Sequence, residues 1–411
     1  MTGAPIAVTG VGVVAPTGVS HRAFVAALNA ERAAIVPGED GYLLAPVGEF
    51  GARRYIAAGS LRRMPRLVQM TIVAAKQALA DVAGEDCADE GTLPAMLADP
   101  TAALGLDPTR VGIVLGTGLG TFDQTMDFLV GYLDGGPEAA SPLLFPTSVM
   151  NAAAGLLALE CRLRGVNSTV NHKDASPLLA IGMAIDQLRL GRADAILVGA
   201  LDELCAPVLD GYRMLGGLAK ETMRPYDRAH TGLALGESAA VLVLERLDDA
   251  VARGRRVRAV FERRAETSES RPRVGWGDGH AGPEAARVVR EAVASGPRID
   301  WIAGSANGTR LDDLELAALR AGLTAAERPM PPLSSVLSQT GESAASAMLR
   351  VCAAIEACES GTIFGSLGLR DPLPGWEGEL PRSVNRTPVG AVLVPSFGQG
   401  GSNAALVVRR P

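Results

Sequence analysis

The sequence predicts an α/β protein, because segments typical of buried strands alternate with segments typical of helices along most of its 411 residues. Hydrophobic residues make up 47% of the chain and charged residues 20%, so the chain can form large cores. The 48 glycines and an aromatic content of only 4% indicate many tight turns and closely packed helices. At roughly 100–200 residues per domain, this length corresponds to two or three domain-sized units.

In the first part of the chain, residues 6–18 read as a buried strand. Their glycines lack the G-x-G-x-x-G spacing of a dinucleotide-binding loop. Residues 61–84 have the periodicity of an amphipathic helix that stops at its final glycine. Further on, the pattern predicts strands at 110–120, 165–172 and 194–203, helices at 121–133 and 176–193, and a strand that runs into a helix at 237–254.

The second part of the chain begins with a polar, turn-rich stretch at about residues 262–284, which is typical of a surface loop. The alternation then resumes, with helices predicted at 283–295, 311–323 and 341–360 and strands at 299–307, 389–396 and 403–410. We interpret the chain as two related α/β halves, residues 1–255 and 256–411, although no repeat is visible in the sequence itself.

Composition and charge exclude several classes of function. The formal net charge of −6 gives no support for nucleic-acid binding. We expect no signal peptide, and no membrane span, because no uncharged apolar run reaches the roughly 18 residues that a span needs. The cysteines lack C-x-x-C spacing, which argues against a disulfide framework or a metal site and favours a cytoplasmic location. They are Cys87, Cys161, Cys205, Cys352 and Cys358.

The stretch STVNHKDASPLLAIG, residues 168–182, is typical of the approach to a nucleophile, with a strand, a tight turn and a helix that begins with small residues. Asp174 occupies the place where the nucleophile is expected. One interpretation is an acid at a helix N-terminus, where its charge suits the helix dipole. The other is a catalytic acid that works with Glu342, since two nearby carboxylates can separate in pKa. His172 and Lys173 are either a catalytic pair or subunit contacts.

Four stretches of the sequence resemble the β-ketoacyl-(acyl-carrier-protein) synthases of the thiolase superfamily, and they lie at residues 6–18, 141–158, 224–245 and 395–410. The resemblance implies a thiolase fold, a duplicated five-layered α/β/α/β/α architecture that dimerises through a central strand and a helix beside the active site. Active members carry a Cys at the start of a buried helix, two His that bind the malonyl carbonyl, and a supporting Lys. The helix dipole stabilises such a thiolate, and the donors stabilise the developing negative charge.

Matching the family's motifs to this sequence places other residues at every catalytic position. The Cys corresponds to Asp174, within DASPLLAIG. The two His correspond to Gly304 and Glu342, the Lys corresponds to Leu337, and the gating Phe of the final Gly-Phe-Gly-Gly motif corresponds to Gln399. The residues around these positions still match the family. The resemblance therefore implies a synthase frame that has lost its catalytic residues, with no metal site.

A synthase frame without synthase residues is similar to the chain length factor of type II polyketide synthases. That class forms a heterodimer with a Cys-bearing ketosynthase, shapes the tunnel for the growing chain and has no activity alone. Its substrates arrive on the phosphopantetheine of an acyl carrier protein, so we expect no cofactor of the chain's own. Aromatic systems carry Gln where this chain has Asp174, which favours another branch, such as one that serves polyene chains. The alternative hypothesis is a rewired enzyme, a malonyl-carrier-protein decarboxylase or an acyltransferase.

The resemblance also places a chain-length gate on the helix predicted at 121–133. The corresponding residues are Thr121, Gln124 and Phe128, and their spacing puts them on one helical face. A small residue at Thr121 is expected to leave the tunnel longer at that point. The alternative interpretation is that Phe128 belongs to the core while Thr121 and Gln124 are capping or surface residues.

Overall fold

The computed structural model describes residues 4–84, 99, 101–270 and 282–411, and these residues form an α/β protein as predicted. The α-helices are α1 (His21–Asn29), α2 (Ala52–Tyr55), α3 (Ala58–Leu61), α4 (Arg66–Ala83), α5 (Phe122–Gly135), α6 (Ala152–Glu160), α7 (Ser176–Arg189), α8 (Ala206–Met214), α9 (Leu247–Ala252), α10 (Pro283–Val293), α11 (Leu311–Ala325), α12 (Leu337–Thr340) and α13 (Ser346–Ser360). Within the described ranges, no helix is both long enough and apolar enough to cross a membrane.

The strands of the main sheet are β1 (Ile6–Val14), β4 (Val111–Gly116), β5 (Asn167–Val170), β6 (Ala195–Asp202), β8 (Ser238–Arg246), β9 (Ala259–Ser268), β10 (Trp301–Ala303), β11 (Leu333–Ser334), β14 (Ala391–Phe397) and β15 (Ser402–Arg409). Two small sheets contain the remaining strands, β2 (Val36–Pro37), β3 (Leu43–Ala45) and β7 (Leu235–Gly236) in one, and β12 (Thr362–Ile363) and β13 (Asn385–Arg386) in the other.

The main sheet has ten strands in the order β11-β10-β14-β15-β9-β1-β8-β6-β4-β5. The two halves of this order have the same arrangement. From the outer edge to the centre, each half contains its third, second, fourth, fifth and first strand in chain order. The halves meet where β1 and β9 pair antiparallel, with Ile6 opposite Phe261. The five-stranded arrangement therefore occurs twice, while the division into domains at residue 255 stays a prediction.

Helices α7 and α13 form a central layer between the two half-sheets. Their apolar side chains share one buried cluster with side chains of both half-sheets, such as Val198 of β6 and Val394 of β14. On the outer faces, α4 packs against the first half-sheet, and α10 and α11 pack against the second. The five-layered α/β/α/β/α order implied by the resemblance is therefore observed.

The helix predicted at 61–84 is interrupted in the structure. Helix α3 ends before Pro65, and α4 begins directly after it. Proline has no backbone N–H and restricts the residue before it, so it is tolerated at a helix start but not inside a helix. The predicted stop is confirmed, because Gly84 ends α4 in a left-handed conformation with φ +74°.

The helix predicted at 341–360 begins later than expected, at the start of α13. Gly341 has φ +71°, which breaks the path from α12. Glu342 is extended and pairs with Leu235 in an isolated bridge, and its carbonyl accepts the N–H of Gly236 at 2.7 Å. Glu342 therefore lies on a connecting segment between two helices.

The prediction of a surface loop at 262–284 is wrong for residues 262–268. These residues belong to β9, which pairs antiparallel with β15 up to Ser268. The polar side chains that favoured a loop form ion pairs on the sheet surface instead. Arg264, for example, contacts Asp186 of α7 at 2.6 Å. Residues 271–281 of the predicted loop lie outside the described residues.

A buried cluster around Arg258 ties the two halves of the chain together. The Arg258 guanidinium contacts Asp81 of α4 at 2.7 Å and Glu359 of α13 at 2.6 Å. Its Nη2 also lies 3.3 Å from Nδ1 of His21 on α1. Burial, together with the positive charge of Arg258, lowers the pKa of His21 to about 3, so this ring is neutral at pH 7.

We predict that Arg258→Met lowers the free energy of unfolding by about 3 kcal/mol, because two partly buried carboxylates lose their cation. Arg256→Met is a matched control, since Arg256 is exposed and pairs with the same Glu359. The Arg256→Met substitution should lower the free energy of unfolding by less than about 1 kcal/mol. Denaturant unfolding of the purified chain measures both, and equal losses would contradict a special role for Arg258.

Candidate functional site

Asp174 lies at the bend where β5 passes into the buried helix α7. The strand ends at Val170, Lys173 has a left-handed φ of +50°, and the helix begins at Ser176. A left-handed backbone is uncommon for a residue with a side chain, and here it turns the chain sharply. The strand, turn and helix predicted around a nucleophile position are therefore observed, with a half-buried Asp174 at that position.

Asp174 lies directly before the N-cap of α7, as the helix N-terminus interpretation predicts, but its carboxylate makes no capping hydrogen bond to the helix. The N-cap residue is Ala175, whose side chain has no polar atom. The Asp174 carboxylate instead accepts the backbone N–H of Gln399, 3.3 Å away on the loop between β14 and β15. The hydroxyl oxygen of Ser176 accepts the N–H of His172 at 2.7 Å. The bend is therefore held by Ser176, and Asp174 is turned towards the second half of the chain.

A small polar cavity lies beside Asp174. Its volume is about 30 Å³, which is roughly the space of two water molecules. The polar side chains in its wall include Asp174, Ser305, Asn307, Glu315, Glu342 and Arg350. A cavity of this size has no room for a thioester or an acyl chain.

Burial changes the proton affinity of the carboxylates in this cavity. Burial, followed by repulsion from Asp174, raises the pKa of Glu342 well above its usual range. No described residue forms a hydrogen bond or ion pair with the Glu342 carboxylate. Burial also raises the pKa of Asp174, although the N–H of Gln399 opposes the shift. Both shifts favour the protonated forms of these acids, most strongly for Glu342.

Arg350 is the one cation in the described wall of the cavity. It lies on α13, and its Nη1 donates to the carbonyls of Ala303 at 3.0 Å and Pro395 at 2.5 Å. Its Nε has no partner among the described residues. Burial lowers the pKa of Arg350, whereas the charges of Glu315 and Glu342 raise it. Arg350 therefore offsets part of the negative charge without a direct ion pair.

Two acids of α11 hold the loop that follows β10. Asp312 accepts the N–H groups of Tyr226 at 2.8 Å and Asn307 at 2.9 Å. Glu315 accepts the N–H of Ser305 at 2.7 Å and the hydroxyl of Tyr226 at 3.0 Å. Burial raises the pKa of Asp312 to about 7. Both acids belong to the matched motif, and both serve to position this loop.

Gly304 does not line the cavity. A Cβ atom at Gly304 would collide with the hydroxyl of Tyr226, so any side chain at this position would require the Tyr226 ring to move. The polar side chains that the same loop presents to the cavity are Ser305 and Asn307. Sequence matching missed these two residues, because the match to the family's trailing acids placed the first His at Gly304.

The other predicted positions divide between the cavity and the core. Glu342 lines the cavity with Asp174, and Gln399 contacts Asp174 through its backbone N–H. Leu337 is buried in an apolar cluster with Leu43 of β3, away from the cavity wall. Arg350 was missed, although a charged residue inside the apolar run SAMLRVCAAI was a visible signal.

The cavity has no group that could form a thioester. The described cysteines lie elsewhere in the core, where burial raises the pKa of Cys161 and Cys352 to about 12. Cys87 lies outside the described residues. His172 is exposed, and its Nδ1 lies 3.2 Å from the hydroxyl of Ser402. In the described ranges no group of His, Cys, Asp and Glu residues could hold a metal ion. The polar groups in the cavity wall are carboxylates, hydroxyls, the amide of Asn307 and one guanidinium.

The proposed gate residues lie on one face of the N-terminal half of α5. Thr121, which directly precedes the helix, is only 1% exposed, and its hydroxyl donates to the carbonyl of Thr147 at 2.5 Å. Gln124 and Phe128 are half-buried. The ring of Phe128 packs on Phe145, with 5.6 Å between the ring centroids. Thr121 therefore anchors the helix, while Gln124 and Phe128 face a surface that one subunit leaves partly open.

Gln124 and Phe128 belong to a long apolar segment, residues 122–151. None of the residues in this segment is buried within the subunit. The apolar side chains exposed on this segment and the following helix are Leu129, Val130, Tyr132, Leu133, Leu143, Phe145, Val149, Met150 and Leu159. Beside them, β5 is the last strand of the main sheet, and no strand in the described ranges pairs with its outer edge. A groove of about 920 Å³ is lined mainly by α6 and the loop that follows it, and it reaches Asn167 at the start of β5.

Comparison with known proteins agrees with this geometry. Residues 3–250 match the family described as "Beta-ketoacyl synthase, N-terminal domain". A 3-oxoacyl-[acyl-carrier-protein] synthase 2 of Rhizobium meliloti (strain 1021) is 27% identical, over 88% of this chain and 85% of its own length. A putative polyketide beta-ketoacyl synthase 1 of Streptomyces virginiae is 28% identical, over 99% of this chain and 98% of its own.

Solved structures show the same fold. The ishigamide ketosynthase/chain length factor superimposes with a TM-score of 0.87 at 25% identity, covering 100% of both chains. AntDE:AntF, a type II polyketide synthase acyl-carrier protein in complex with its ketosynthase bound to the hexaketide, gives a TM-score of 0.84 at 22% identity, again over 100% of both chains. The thiolase fold implied by the sequence is confirmed, and the chain belongs to the β-ketoacyl synthase family.

Proposed function

We propose that this chain is a non-catalytic chain length factor, which pairs with a Cys-bearing ketosynthase and shapes the tunnel for the growing polyketide. The observation that carries the proposal is the apolar segment 122–151, which has no buried residue in the subunit and adjoins the free edge of β5. Soluble monomers rarely expose so large a continuous apolar surface. A free sheet edge also favours pairing with a second strand. The surface therefore fits an obligate partner.

The ketosynthase is the occupant that the comparisons favour for this surface. A related solved structure is a ketosynthase/chain length factor pair. In such a pair, Gln124 and Phe128 would lie where the two subunits meet, so their volume would limit the chain from one side. The cavity at Asp174 supports the same division of labour, because its described wall has no thiol and it has space for roughly two waters.

An acyl carrier protein that bears phosphopantetheine is the second proposed partner, because a related complex contains one. The subunit has a basic surface on α2 and after α3, although its net charge is −6. The exposed side chains there are Arg53, Arg54, Arg62 and Arg63. None of them forms an ion pair with a described residue. Such a surface attracts an acidic protein at long range.

The alternative, a rewired decarboxylase or acyltransferase, has less support. Decarboxylation of a malonyl group leaves an enolate, whose negative charge needs nearby donors. The cavity instead presents Asp174, Glu315 and Glu342 with one cation, Arg350. The carboxylates of Asp174 and Glu315 oppose a second negative charge, and the cavity wall has no His or Lys donor for it. The geometry therefore favours a role without chemistry of its own.

The interface proposal predicts that Leu133→Asp weakens binding to the ketosynthase by about 30-fold or more, since a charge would replace a central apolar contact. Leu133 is 76% exposed in the subunit, so the isolated chain should fold as before. Val251→Asp is the matched control, because Val251 is also exposed, at 61%, but lies on α9. Sedimentation of the mixed subunits measures the affinity. Equal binding by both variants would place the interface elsewhere.

We predict that Asp174→Ala leaves product formation by the complex within about threefold of the natural protein, a change of less than about 0.7 kcal/mol in the barrier. Asp174→Cys should give no chain elongation by the subunit alone, because no His or Lys lines the described cavity to stabilise a developing enolate. The assay uses malonyl-loaded carrier protein and follows both products and carbon dioxide release. Carbon dioxide released by the natural subunit alone would favour the decarboxylase hypothesis.

Glu342→Gln should change how stability depends on pH. The pKa of Glu342 is raised in the folded state, so the folded chain keeps a proton that the unfolded chain releases above about pH 4.5. This contribution is present at low pH and is lost as the pH rises towards the raised pKa. Relative to the natural protein, Glu342→Gln should gain about 1.4 kcal/mol per pH unit in that range. A constant difference between pH 5 and 8 would contradict a protonated Glu342.

The gate proposal predicts that Phe128→Ala lengthens the products of the complex, while Gln124→Phe shortens them. The reason is steric volume at the proposed tunnel wall. Phe128 is half-buried in the subunit, so the stability loss should be below the roughly 3–5 kcal/mol of a fully buried ring. Mass spectrometry of the products decides it, and unchanged chain lengths from both variants with an intact heterodimer would place the gate elsewhere.

A further inference from the structure

The turn at residues 117–120, which joins β4 to the proposed gate helix α5, is held by the carboxylate of Asp202. We call residues 117–120 the gate turn. The backbone N–H groups of Gly118 and Leu119 donate to Asp202 at 2.9 and 3.0 Å, and the hydroxyl of Thr117 donates at 3.1 Å. Asp202 is the last residue of β6 and is only 4% exposed. One buried acceptor thus satisfies three donors of the turn.

The carbonyls of the gate turn are bound by residues that flank Asp174. The carbonyl of Thr117 accepts the hydroxyl of Ser176 at 3.0 Å, and the carbonyl of Gly118 accepts the amide of Asn171 at 2.9 Å. The N–H of Thr117 also donates to the carbonyl of Val170 at 3.0 Å. The bend around Asp174 therefore holds the gate turn through three hydrogen bonds.

The gate turn is closely packed and leaves little space for side chains at its glycines. A Cβ atom on Gly118 would collide with Ala344, which lies on the segment between Glu342 and α13. Gly120 has φ +64°, a conformation that suits glycine, and its N–H donates to the hydroxyl of Thr117 at 2.8 Å. Helix α5 begins two residues later, so this turn sets its direction.

We propose that Asp202, together with Asn171 and Ser176, positions the gate helix, and that the frame around the lost nucleophile is retained for this purpose. The inference rests on the proposed function, because it gives α5 the role of tunnel wall. It explains why a subunit without a nucleophile keeps the nucleophile bend in full detail. In this reading Asp202 acts on chain length through the direction of α5 and touches no substrate.

The test compares Asp202→Asn and Asn171→Ala in the full chain and in its complex with the ketosynthase. Asn171 is exposed, so its variant should fold even if Asp202→Asn does not. Asp81→Asn is the matched control, because Asp81 also accepts a backbone N–H, that of Val11 at 2.9 Å, but lies on α4. Hydrogen exchange followed by mass spectrometry reports on the gate turn, and product analysis reports on chain length.

We expect the amides of the gate turn to exchange about tenfold faster or more in Asp202→Asn, because they lose a charge-assisted acceptor. Both test variants should broaden the distribution of product chain lengths. Their total rate of product formation should stay similar to that of the natural protein. The control should lower overall stability without either effect. A role in stability alone would not alter chain length selectively.

Two outcomes would overturn the inference. One is unchanged exchange in the gate turn of both variants. The other is faster exchange with unchanged product lengths, in an experiment where Phe128→Ala does alter them. If Phe128→Ala also leaves the products unchanged, the proposed gate itself fails, and the exchange rates alone decide whether Asp202 anchors the turn.

Discussion

The packing of α7 and α13 between the two half-sheets is the constraint on which the rest of the molecule depends. Both helices are buried in one shared cluster, and their starts meet at one cavity, with Asp174 before α7 and Glu342 before α13. Close-packed layers tolerate little displacement, since any shift opens a void or forces a clash. The middle layer therefore keeps the shape of a synthase site whether or not the site performs chemistry.

In this chain the retained shape surrounds groups that oppose the family's reaction. Glu342 is buried and favours its protonated form, and Arg350 compensates the remaining charge from a distance. We propose that the functional surface is instead the apolar segment 122–151 together with the edge strand β5. Asp202 binds the gate turn between these two regions, and in our proposal this contact sets the position of the outer helix.

Strand and helix periodicity predicted most elements, because it is a local property of the sequence, whereas the five layers were implied by the family resemblance. The sequence predicted the bend at Asp174 for the same reason. It failed where distant contacts decide the outcome. The polar run after residue 262 is a strand because β15 pairs with it. Gly304 lies against Tyr226, and Arg350 lines the cavity from its position on the buried helix α13. Neither arrangement can be read from neighbours in the chain, since both depend on partners many residues away.

The central claim is that the ketosynthase partner does the chemistry and this chain does not. Incubating the heterodimer with an acyl-loaded carrier protein and measuring the intact mass of each subunit tests it most directly. The claim predicts an acyl adduct on the ketosynthase alone, with the mass of this chain unchanged, because the cavity at Asp174 has no thiol and too little space. A stoichiometric acyl adduct on this chain would contradict it.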